Sequence, residues 1–145
     1  MIKKQKTPEV AIPIDSTTIV KEKVKFAFNQ DGEYYCLIVV ENGKGDLNKF
    51  KAKLSDYNSE SFSTADIAIT SIFLDITHQM VSVKTFDGKE RAMDYFDAIE
   101  SKKDLYADLE KGTYEAFVIS AENYAIFYKD KNIEEYHQFF VENFK

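Results

Sequence analysis

The stretch that most constrains this chain is Tyr34-Tyr35-Cys36-Leu37-Ile38-Val39-Val40. A strand with one wet face alternates apolar and polar side chains. This one does not alternate, so it predicts a strand covered on both faces, and hence a central one. Asn29-Gln30-Asp31-Gly32 ahead of it is a turn signal, and Glu41-Asn42-Gly43-Lys44-Gly45 behind it is a loop. Cys36 inside the run reads as a small buried hydrophobe. As the single Cys of the chain, it also excludes an internal disulfide framework.

The flanking sequence supplies partners for that strand. Asp46 is a good N-cap, and Leu47, Phe50 and Leu54 follow at helical spacing, predicting a helix of two to three turns. Tyr57–Thr64 reads as polar and turn-like. Ile67–Leu74 and the alternating Met80–Phe86 read as a hairpin joined through Asp75–Gln79. Asp87 and Glu90 have capping-box spacing, and Ala92, Met93, Phe96 and Ile99 form the apolar stripe of a second helix. Lys102–Leu109 continues or restarts that helix before Gly112 stops it. Tyr114–Ser120 is the last predicted strand. Ser120 then caps a short helix, and Asn132 with Glu135 caps another carrying Ile133, Tyr136, Phe140 and Phe144 on one face. The order is β-α-β-β-α-β plus C-terminal helices. That predicts an α+β domain, a ferredoxin-like plait with an antiparallel sheet and two helices on one face. Residues 1–22 have no clear period and read as an extended linker or arm, in which Ala11-Ile12-Pro13-Ile14 could add an edge contact. Residues 23–145 form the single domain.

Composition narrows the function. The chain has 145 residues, and 19 basic against 25 acidic side chains give a net charge of −6. An acidic surface is a poor match for nucleic acid or anionic membrane. No run approaches the roughly 20 apolar residues of a membrane span. Arg91 is the sole Arg, which weakens any reading built on phosphate or carboxylate forks. The charged N-terminus is not followed by the apolar stretch of a secretory signal, so the expectation is a cytosolic chain or a piece of a longer one.

The candidate chemical motifs each read more simply as structure. Gly43-Lys44-Gly45 lies at a strand-to-helix junction, but Asn48 stands where a dinucleotide fingerprint needs its third Gly. The acyl-phosphate hydrolases of this architecture need an Arg in that loop, and only Lys44 is present. Lys111–Val118 faintly echoes an RNA-recognition strand, but with the wrong spacing, position and charge. His78 and His137 have no Cys or His partner at metal-ligand spacing. Glu134, Glu135 and Glu142, with Asp94, Asp97 and Glu100, read as solvated helix faces. The expectation is therefore no catalytic, cofactor or metal residue, and a protein that is not an enzyme.

Several phrases form a pattern together: Glu33–Val40, Ser71–Asp75, Val83–Phe86 with Ala92–Phe96, Phe117–Tyr124, Phe127–Lys131 and Glu135–Phe140. In this order they resemble the C-terminal domain of large tetratricopeptide-repeat proteins of Bacteroidetes, of the gliding-motility and type IX secretion lipoprotein kind. The resemblance spans about residues 24–144 and rests on aromatics and caps, with no catalytic residue to carry over. It implies a non-enzymatic module at the end of a repeat array, in the periplasm or cell envelope. A signal peptide would then lie far upstream.

The expected role is a protein-interaction or assembly domain. Its partner would be another protein or the repeat array of its own parent chain. One sheet face lacks predicted helical cover, so Tyr34 and Lys84 there, and Phe139 and Phe144 on the last helix, are the candidate contacts. The alternative is a small-ligand-binding regulatory domain of the same fold.

Overall fold

The computed structural model describes residues 25–145, so the expected arm at 1–22 lies outside the described residues. Among the described residues, four strands and four α-helices follow in the order β1 (Glu33–Glu41), α1 (Leu47–Ser61), β2 (Ala68–Phe73), β3 (His78–Asp87), α2 (Lys89–Ser101), β4 (Tyr114–Ser120), α3 (Ala121–Asp130) and α4 (Ile133–Phe144). A 3-10 turn, Lys103–Tyr106, follows α2. The sheet is fully antiparallel, with strand order β2-β3-β1-β4. The chain is therefore α+β, and β1 is an inner strand, as its unbroken apolarity requires.

The register sorts side chains onto two faces. Ile38 pairs with Val81 and Ala116, and Val81 with Ser71, which defines one face. Helix α1 reaches that face: Lys51 Nζ donates to Ser71 Oγ at 2.8 Å, and Phe50 packs on Tyr106, which stacks on Tyr114. Leu37 pairs with Ser82 and Phe117, and Ser82 with Thr70, which defines the other face. That face has more cover than the sequence suggests. Phe117 lies against Phe127 of α3 and against Tyr136 and Phe140 of α4. Among the described residues cover is thinnest toward β2, where Ala68, Thr70 and Ile72 are exposed.

Three boundaries differ from expectation, each for a physical reason. Helix α1 runs four turns, through Tyr57 and Asn58. Asn58 lies four residues after Leu54 on the buried face, and its carbonyl accepts the Tyr95 hydroxyl at 2.8 Å. A satisfied polar group continues the helix where a polar letter suggested its end. Helix α2 has no Asp87 cap: Asp87 is still in the ladder opposite Glu33, and Gly88 turns the chain at φ 97° with no side-chain cap. The segment after α2 is a 3-10 turn that buries Leu105 and Tyr106. The other caps form as read, with Asp46, Ser120 and Asn132 accepting from Lys49, Asn123 and Glu135 amides.

Helix α4 borders the β4 edge. The Tyr136 hydroxyl donates to the Val118 carbonyl at 2.7 Å, and Phe140 reaches Phe96 of α2 at 5.2 Å. Residues 25–29 are tied to α3 and α4. Asn123 both donates to and accepts from the Ala27 backbone, and Lys25 pairs with Asp130 and Glu135 at 2.5 Å each.

Candidate functional site

The chemical candidates are used structurally. The Cys36 thiol is fully buried, and burial pushes its pKa far up, so it has no nucleophilic form at neutral pH. The Gly43–Gly45 loop is packed against the loop ahead of β4. Asp46 N donates to the Asp108 carbonyl at 2.8 Å, and Gly45 bridges to Leu109. Among the described residues no group of three His, Cys, Asp or Glu is placed to hold a metal ion. His137 is half-buried on α4, 3.6 Å from Glu115. Glu100 departs from the solvated-face reading, since its carboxylate accepts the buried Tyr106 hydroxyl at 2.6 Å. Burial, and then that carboxylate, push the Tyr106 pKa far up.

His78 opens β3 and is not a free turn residue. Its Nδ1 is 3.1 Å from Asp75 Oδ1, which also accepts from the Thr77 amide and hydroxyl at 2.8 Å each. Partial burial works against the Asp75 charge. The two Thr77 donors and His78 outweigh it and hold the carboxyl down to about 2. This knot fixes the β2–β3 turn.

The four expected contact residues separate. Tyr34 is in the core at 1% exposure, with its hydroxyl donating to the Asn29 carbonyl. It is absent from the surface because it alternates with Cys36 and Ile38 onto the face that α1 reaches, and its pairing with β4 is regular through Ser120. Lys84 is half-buried, with Nζ 4.6 Å from the Tyr35 ring centre and 4.8 Å from that of Tyr124. Tyr124 stacks on Tyr128, which carries Lys131 at 4.0 Å, so Lys84 begins a cation–aromatic stripe onto α3. Phe139 and Phe144 are half-buried against Phe26 and Phe28.

The most exposed apolar surface is at residues that sequence reading did not single out. Ile72 is 42%, Phe73 61% and Ile76 92% exposed. They surround the end of β2 and the rigid β2–β3 turn. Among the described residues β2 pairs only with β3, which leaves its other edge open. Its six residues, Ala-Ile-Thr-Ser-Ile-Phe, carry no charge. The one sequence signal was Ile76, an apolar residue in a turn.

Compared with protein-family models, curated proteins and solved structures, the chain matches none. Among the described residues no helix is long and apolar enough to cross a membrane.

Proposed function

We propose that this is a non-enzymatic protein-interaction domain on a ferredoxin-like plait, and that it docks its partner along β2 and the β2–β3 turn. The plait reading draws support from the strand order, which from the other edge reads 4-1-3-2, with α1 and α2 as the two crossovers. The observation that carries the interaction reading is the exposed Ile72, Phe73 and Ile76 beside an uncharged edge. Edge strands of solitary domains are usually blunted by charge, proline or a covering element, and this one has none of these within β2. Such an edge suits an extended segment of a partner. Main-chain hydrogen bonds extend the sheet, and the apolar side chains supply affinity. The resemblance favours the same role in a cell-envelope protein, with the parent repeat array or a neighbouring envelope protein supplying that segment.

The test is capture of a partner from envelope extract by the immobilised domain, beside Phe73→Lys and Ile76→Lys variants. Wild type is expected to retain a defined protein that both variants lose. Both sites are exposed, so the variants keep their stability within about 0.5 kcal/mol. Equal capture by all three, or a monomeric domain that retains nothing, overturns the reading.

A further inference from the structure

A second surface feature is independent of the β2 edge. The loop after α1, the end of β3 and the start of α2 enclose a cleft of about 390 Å³. That volume is within the range of small-molecule sites. Its apolar lining includes Phe62, Ile67 and Phe86. Phe62 and Phe86 both pack on Tyr95, at 5.1 and 5.0 Å between ring centres, and Asn58 accepts the Tyr95 hydroxyl. The aromatic wall is therefore preorganised.

The charged lining is unusual for this chain. It brings together its sole arginine, Arg91, with Asp66, Asp87 and Asp94. Arg91 and Asp94 are three residues apart on α2 and share a helix face. None of the four forms an ion pair with another described residue. Among the described residues both signs thus remain available, with one positive group against three negative ones. A ligand matching this lining has an ammonium for the carboxylates, a carboxylate for the guanidinium fork and an apolar body for the phenyl wall.

We propose that this cleft binds a small zwitterion with an apolar side chain, a hydrophobic α-amino acid or a dipeptide of such residues. Arg91 takes its carboxylate, Asp94 and its acidic neighbours take the ammonium, and Phe62 and Phe86 take the side chain.

The experiment titrates the whole chain with three probes by calorimetry: L-phenylalanine, phenethylamine, which lacks the carboxylate, and 3-phenylpropanoate, which lacks the ammonium. L-Phenylalanine is expected to bind saturably, about tenfold tighter than phenethylamine, with phenylpropanoate weakest. Arg91→Gln is expected to abolish the preference for L-phenylalanine over phenethylamine, and Asp94→Asn to weaken both. Both side chains are exposed, and an unchanged melting temperature establishes that each variant is folded. The proposal is overturned if L-phenylalanine does not saturate at millimolar concentration, if phenethylamine binds equally well, or if Arg91→Gln leaves the preference intact.

Discussion

At the scale of single residues, two positions carry more than their letters suggest. Gly45 has φ +127°, and a Cβ built there falls 2.5 Å from the Asp108 carbonyl oxygen. That contact is with backbone and cannot yield by rotating a side chain. Gly45→Ala therefore incurs both a steric clash and a backbone conformation that L-residues avoid. An expected loss of about 2–3 kcal/mol in urea denaturation follows. Gly43 supplies the control: it has φ +82°, but a Cβ added there meets nothing within 4 Å. Gly43→Ala should lose only the conformational term, about 1 kcal/mol. Equal losses at the two sites would show that the close approach at Gly45 is unimportant. Asp75 makes a pH prediction. Its carboxyl is near 2 in the folded chain against 3.8 ordinarily. Its contribution is complete above the ordinary value. As pH falls from 3.8 to about 2, the unfolded chain takes up this proton first, and the contribution is lost. Asp75→Asn should remove that part of the acid sensitivity, seen as a shallower fall of stability with pH than wild type over that interval.

At the scale of elements, α4 shows what can be separated by mutation. Phe140 is 1% exposed between Phe96 and Phe117, so Phe140→Ala opens a cavity and should cost about 3–5 kcal/mol. Tyr136→Phe keeps the ring and removes only the hydrogen bond to Val118, a loss of about 1 kcal/mol. Chemical denaturation of the two variants measures both, and equal losses would refute this division. The element order was legible because each strand and helix carries its own period, and Asp46, Ser120 and Asn132 mark three helix starts. What was illegible depends on tertiary partners. Asn58 reads as a helix end until Tyr95 is seen to satisfy it. Asp87 reads as a cap until Glu33 holds it in the ladder. Tyr34 reads as a surface residue until the register sets it with Cys36 and Ile38 on the helix-covered face. The exposed apolar edge of β2 was hidden for the same reason, because an apolar strand looks alike whether its edge is paired or not. The Arg91 cleft draws on two segments separated in sequence, 62–67 and 85–94, and no local pattern announces it.

At the scale of the whole molecule, the sheet is asymmetric. On one side β4 is bordered by α4, whose Tyr136 occupies a carbonyl of that strand. On the other, β2 pairs on one side only among the described residues, and its side chains are mostly exposed. Strand β1 is paired on both sides and buried from Cys36 to Val40. Opening free energy should therefore fall across the sheet from β1 toward β2, because amides exchange through the cheapest opening available to them. Native-state hydrogen exchange is expected to find the slowest amides at Leu37–Val39 and the fastest strand amides in Ala68–Phe73. The same measurement bears on the proposed docking mode. A partner strand added to β2 would protect its outward amides while leaving β1, already near the global limit, unchanged. Protection of β2 equal to that of β1 in the isolated chain would show that the edge is not open. A partner that binds without slowing β2 exchange would show that it does not bind by extending the sheet.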